Sequence, residues 1–169
     1  MSPASSWVSL LQPDLLLNES ILQLTPALLE QHQIKGLVLD VDDTLVSSMA
    51  TDVSPELLTW LTGIKLKARV WLVSNNIKRS RIERIATSLD LPYIYGASKP
   101  SRRKLRKAVS AMGLPYEQVA MVGDRLFTDV LAGNRLGLFT ILVEPVSQSS
   151  LLRKFELWSY RTLKQGLKI

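Results

Sequence analysis

Apolar residues in this chain fall into two alternating rhythms. Short, largely apolar runs at 37–39, 68–73, 93–95, 119–122 and 140–143 have the length and composition of buried parallel strands. Between them, apolar positions recur at helical spacing: Leu57, Leu58, Leu61 and Ile64; Ile82, Ile85, Ala86 and Leu89; Leu105, Ala108, Val109 and Met112. Boundary residues agree with this reading. Thr25-Pro26 opens a helix to about residue 33, and Ser54-Pro55 opens the second. Ser80 and Ser101 are the expected caps of the third and fourth helices, and Gly113 ends the fourth. A fifth helix is expected over 127–136, and a basic amphipathic one over 151–165.

Strands alternating with helices predict an α/β fold. The expected architecture is one Rossmann-like, three-layer domain over 25–169, with a parallel sheet of about five strands. Residues 1–24 form an N-terminal arm whose leucines share no clean period. Two readings of the arm stand: packed on the domain, or lying at a lipid boundary with Trp7.

Composition narrows the chemistry. A chain of 169 residues suits a single domain. It has no cysteine, which removes disulfides and thiolate metal sites, and its lone His32 excludes a polyhistidine centre. The formal charge of +6 favours an anionic partner. No apolar run approaches the ~20 residues of a membrane span, and the N-terminus lacks a signal-peptide pattern. The expectation is a cytoplasmic protein able to touch a membrane surface without crossing it.

Chemistry gathers where the strands end. The first runs into Asp40-Val41-Asp42-Asp43-Thr44. Carboxylates this close repel unless they share a cation or proton, and Mg²⁺ prefers such hard oxygen ligands. Asp40 can attack as a carboxylate nucleophile, and Asp42 can give or take a proton. The second strand ends at Ser74-Asn75-Asn76, the turn after the third carries Lys99, and the fourth ends at Asp124 with Asp129 five residues on.

In this order the motifs resemble the haloacid dehalogenase (HAD) superfamily of aspartate-nucleophile phosphotransferases. The resemblance runs from residue 37 to about 145. It implies a sheet order of 5-4-1-2-3, which sets Asp40 beside Asp124. It implies a phospho-aspartate on Asp40, acid–base work by Asp42, and phosphate held by Ser74, Asn75 and Lys99. The implied Mg²⁺ ligands are Asp40, Asp124 and Asp42, the last through its backbone carbonyl, with Thr44 steering Asp42 and Asp129 orienting Asp124 or a metal-bound water. Neither the interval before Ser74 nor the one before Lys99 has room for a cap domain. The run from Val122 to Val130, continued by Gly133-Asn134-Arg135, resembles the uncapped subclass IIIA phosphatases of YqeG type, a group that includes phosphatidylglycerophosphate phosphatases. The resemblance therefore implies a phosphomonoester hydrolase acting on an anionic phospholipid, most simply phosphatidylglycerophosphate, with a soluble metabolite as the alternative.

Two rivals are weaker. A phospho-receiver domain would carry its acceptor on the third strand, and the run Tyr93-Ile94-Tyr95 has none. Nucleic-acid binding would use Arg102, Arg103, Lys104, Arg106 and Lys107. That stretch reads first as a solvated helix face, next as an anionic-membrane contact, and last as a nucleic-acid site. The final helix, with Leu152, Phe155 and Trp158 beside Arg153, Lys154, Arg161 and Lys164, suits either docking on the domain or lying in an interface.

Overall fold

The computed structural model describes residues 3–147 and 151–166, with side chains for 7–147, 154–159, 161 and 162. The elements in chain order are α1 (Pro3–Leu10), β1 (Leu15–Leu16), α2 (Pro26–Gln31), β2 (Gly36–Leu39), α3 (Pro55–Lys65), β3 (Arg69–Val73), α4 (Arg79–Leu89), β4 (Tyr93–Ile94), α5 (Arg103–Met112), β5 (Val119–Gly123), α6 (Leu131–Leu136), β6 (Phe139–Leu142) and α7 (Leu151–Gly166). All strands run parallel in one sheet, ordered β1-β6-β5-β2-β3-β4.

The alternation of side chains along each strand explains the three layers. On β2, Leu37 and Leu39 face one core with Leu72, Ala120 and Val122. Leu57, Leu61 and Ile64 of α3 and Ile82, Ile85 and Leu89 of α4 close that face. Val38 and Met121 face the other way, under Leu105, Val109 and Met112 of α5 and Ala132 and Leu136 of α6. A strand covered on both faces is apolar throughout, which is why β2 and β5 are buried at every residue.

The expected order holds for the five strands from β6 to β4, but the sheet has six. The sixth, β1, comes from the arm: Leu15 pairs with Ile141 and Leu16 with Leu142. Two residues are too few to show a period. The local anchor is Asp14, whose carboxylate accepts from the Thr140 backbone N–H (2.8 Å) and hydroxyl (3.0 Å). Ile21 and Leu24 continue the arm into the main core, and the Trp60 indole donates to the Leu24 carbonyl at 2.8 Å.

Three local expectations change. Ser80 does not cap α4; Lys78 holds that position, and its N–H donates to Asn76 Oδ1 at 2.9 Å. Arg102 rather than Ser101 stands at the N-cap of α5. The helix expected over 127–136 opens with a π turn, Leu126–Val130, before α6. There Asp129 and Val130 both donate to the Arg125 carbonyl while the Asp129 carboxylate accepts from the Arg125 N–H, which widens the turn. Such π turns recur at functional sites. The insertions before and after β3 hold one helix each, and no cap domain is present among the described residues.

Candidate active site at the strand ends

The β2–β5 register sets Leu39 opposite Val122, so the next residue of β2 and the residue after Gly123 leave the sheet side by side. These are Asp40 and Asp124, 7% and 2% exposed. The Thr44 hydroxyl lies between them, 3.2 Å from Asp40 Oδ2 and 3.3 Å from Asp124 Oδ1. It therefore tends these two carboxylates and not Asp42, the partner expected from sequence. A tight return makes this possible: Asp43 N–H donates to the Val46 carbonyl at 2.7 Å, and Asp43 adopts a φ of +60°.

Lys99 reaches the same point from the turn after β4. Its ammonium donates to Asp40 Oδ1 (2.7 Å) and the Val73 carbonyl (2.8 Å), and sits 2.7 Å from Asp129 Oδ1. Burial alone would lower the pKa of this amine; the charges of Asp129 and Asp40 outweigh burial and raise it. The Asn75 side chain fixes the lysine's backbone, accepting from Lys99 N–H (2.7 Å) and donating to its carbonyl (3.0 Å). Asp129 can approach because Gly123 lacks a side chain: a Cβ there would stand 2.2 Å from Asp129 Oδ2.

Asp40, Asp124 and Asp129 form a buried trio, each offering an oxygen within 4.8 Å of the others. Three carboxylates against the single charge of Lys99 leave two negative charges. Burial, with the charges of Asp129, Asp40 and Asp43, pushes the Asp124 carboxyl up to about 8. Burial and Asp40 push Asp129 up as well, against the pull of Lys99. An all-oxygen donor set short of two positive charges fits a hard divalent cation such as Mg²⁺. The trio includes Asp129, expected only as a supporting residue, and omits the carboxylate of Asp42.

The Asp42 side chain turns to other partners. It meets Arg81 Nη1 at 2.6 Å, accepts from Asn76 Nδ2 at 3.2 Å, and lies 3.5 Å from Ser74 Oγ. Ser74 is fully buried, its hydroxyl accepting from Asn76 N–H at 3.0 Å. Arg81 also donates to the Ser47 (3.1 Å) and Ala50 (2.8 Å) carbonyls, tying Asp42 to the loop beyond the acidic motif. A pocket of about 370 Å³ opens here, lined by Asp40, Asp42, Asn75, Asn76, Lys99 and Asp124, with Arg125 and Thr128 on its rim. Helix α7 reaches this rim through Glu156, which is 3% exposed and accepts from Arg125 Nε (2.9 Å) and Leu126 N–H (3.1 Å).

Sequence reasoning missed Arg81 and Glu156, and placed Asn76 at the strand end without giving its side chain a partner. Arg81 stands among Lys78, Arg79 and Arg84 and looks like any solvated helix cation. Glu156 did carry a signal, being the one acid in a basic helix between Phe155 and Leu157.

Comparison with known proteins agrees with this geometry. A family model described as HAD-hydrolase-like matches residues 96–155. The probable phosphatase YqeG of Bacillus subtilis is 37% identical over 152 residues, 89% of this chain and 88% of the relative. The chloroplastic phosphatidylglycerophosphate phosphatase 1 of Chlamydomonas reinhardtii is 32% identical over 124 residues, 68% of this chain, which spans under half (46%) of that relative. Among solved structures, the 3-deoxy-D-manno-octulosonate 8-phosphate phosphatase of Moraxella catarrhalis, in complex with magnesium, phosphate and KDO, superposes with a TM-score of 0.50 at 15% identity, covering 83% of this chain and 96% of that one. That likeness speaks to the fold. The identity to YqeG along nearly the whole chain speaks to kinship, and with the strand-end carboxylates in place it means that this chain belongs to the HAD-type phosphatases, in the branch of YqeG.

Proposed function

We propose that this phosphatase hydrolyses a phosphomonoester through a phospho-aspartate on Asp40, with Mg²⁺, and that its substrate is phosphatidylglycerophosphate. The observation that carries the chemistry is the buried trio Asp40, Asp124 and Asp129 closed around one lysine at the sheet's carboxyl edge. Asp40 attacks phosphorus, and the bond to the ester oxygen breaks as Asp42 protonates the leaving alkoxide. Asp42 then takes a proton from water, which attacks phosphorus, releases phosphate and restores Asp40. Lys99 holds the Asp40 carboxylate in place, while Ser74 and the backbone amide of Asn75 orient the phosphate. When bound by Asp40, Asp124 and Asp129, together with the backbone carbonyl of Asp42, Mg²⁺ supplies the charge that lets an anionic nucleophile approach a phosphate dianion.

Two features support a lipid substrate. The pocket is open, with no cap among the described residues to enclose a small metabolite. A relative of matching sequence is named for phosphatidylglycerophosphate. No described helix is long and apolar enough to cross a membrane. The test is phosphate release from phosphatidylglycerophosphate in detergent micelles beside soluble sugar and nucleotide phosphates, with Mg²⁺ and in excess chelator. Activity confined to soluble phosphates overturns the substrate, and full activity in chelator overturns the metal.

A further inference from the structure

A second concavity, of about 850 Å³, lies between the start of α5 and the end of α6. Arg102, Arg103, Arg106, Lys107 and Arg135 line it, and all five are exposed. None of them forms an ion pair among the described residues. Lys104, part of the same basic run, is not in the cleft; it donates to the Tyr95 and Gly96 carbonyls. Arg135 joins instead from a different helix. Arg102 Nη1 donates to the Arg135 carbonyl (3.0 Å) and Arg135 Nη1 to the Pro100 carbonyl (3.1 Å), so the two cationic edges are stapled together. Five cations held around one concavity without a counter-charge repel one another, and an anionic ligand relieves that repulsion.

We propose that this cleft is a docking site for an anionic bilayer, gripping the phosphate-bearing headgroups of the leaflet beside the substrate. The proposal rests on the lipid reading above. Position supports it: Ser101 and Arg102 of the cleft follow Lys99 of the catalytic pocket by two and three residues, so the start of α5 joins the two concavities. A bilayer fits better than a nucleic-acid duplex because exposed aromatics stand on helices linked by packing to that of Arg135. Trp7 of α1 (64% exposed) and Phe155 and Trp158 of α7 (61% and 62%) stand on helices that pack together, and α1 also packs on α6, the helix of Arg135. Aromatic rings on the flank of a basic face suit the headgroup boundary, whereas the backbone of a duplex needs only the charges.

The experiment is co-sedimentation of the full chain with vesicles of phosphatidylcholine containing phosphatidylglycerol, with pure phosphatidylcholine and duplex DNA as the other arms. Arg106→Glu with Lys107→Glu tests the cleft. Lys35→Glu with Lys67→Glu, at the opposite end of the strands, matches the charge change. The cleft variant should lose at least about tenfold in affinity for the anionic vesicles. Its turnover of vesicle-borne phosphatidylglycerophosphate should fall in step, while kcat/KM on a soluble aryl phosphate stays within about twofold of wild type. An equal loss in the matched variant, no binding by wild type, or tighter cleft-dependent binding to DNA overturns the docking site. Hydrolysis of the lipid in micelles without vesicle binding removes the docking and keeps the substrate; vesicle binding without lipid hydrolysis removes the substrate reading alone.

Discussion

Neutralising one carboxylate of the buried trio should stabilise the metal-free protein. Asp124→Asn is the cleanest perturbation, because Asn keeps the shape and can still accept from the Thr44 hydroxyl. Burial and the charges of Asp129, Asp40 and Asp43 hold the native Asp124 carboxyl at about 8, against 3.8 for an ordinary one. At pH 7 the native state thus keeps a proton that the unfolded chain has released. Stability from this group is full below pH 4, falls as pH rises toward 8, and then levels off. At pH 7 the cost is bounded at about 4 kcal/mol, and relaxation with water entry leaves about 2–3 kcal/mol. In chelator the variant should therefore melt about 4–12 °C above wild type. Saturating Mg²⁺ should reverse the order: wild type gains about 4.1 kcal/mol at a thousandfold excess over its Kd, more than the gap in chelator, and the variant gains little. Thermal melts at pH 7 with chelator and with Mg²⁺ measure both differences. A variant that melts below wild type in chelator refutes the charge argument, whatever its activity.

Other substitutions probe the remaining parts. Asp40→Asn should bring turnover below detection while circular dichroism and melting show an intact fold; turnover within about tenfold of wild type removes Asp40 as nucleophile. Lys99→Met should cost about 3–5 kcal/mol in denaturant titration, because it strands Asp40 and Asp129 without their buried cation. Arg81→Gln frees Asp42 from its 2.6 Å partner. It should lower kcat/KM for an alkyl phosphate by about tenfold or more, and much less for an aryl phosphate whose leaving group needs no proton; equal losses would make Arg81 merely structural.

Much of the fold was legible because the central strands are buried on both faces and so read as unbroken apolar runs, each followed by a polar residue. At β2 and β5 that polar residue is also the chemistry, which is why Asp40 and Asp124 could be picked out, with Lys99 standing in the turn after β4. Features set by contacts between distant segments left little local trace. Leu15 and Leu16 become a strand only because Thr140, far along the chain, meets Asp14. The π turn at Leu126–Val130 exists because Gly123 lets Asp129 close in, and helical periodicity over 127–136 hides it. Arg81 is one cation among several on its helix until the fold brings Asp42 to it. The basic run at the start of α5 was visible, but sequence could neither remove Lys104 from it nor add Arg135.

The pairing of cations around the pocket makes one last consequence testable. Lys99 is committed to Asp40 and Asp129, Arg125 to Glu156, and Arg81 to Asp42. A divalent cation would bring the trio and Lys99 to neutrality, so the inner pocket holds little surplus charge to draw a dianion from solution. Among the described residues, cations without an ion pair gather outside, in the cleft of Arg102, Arg106 and Arg135. On the proposals above, capture and chemistry are then separated: exposed charges hold the leaflet that carries the substrate, and paired ones around the pocket process it. Salt screens exposed charges over about 8–10 Å and reaches buried pairs far less. Raising ionic strength from about 0.05 to 0.3 M should then raise KM for a vesicle-borne phosphomonoester severalfold and leave kcat nearly constant. Initial rates at the two salt concentrations, with Mg²⁺ held saturating, give both constants. A fall in kcat at constant KM would place the salt-sensitive charges inside the pocket and undo the separation.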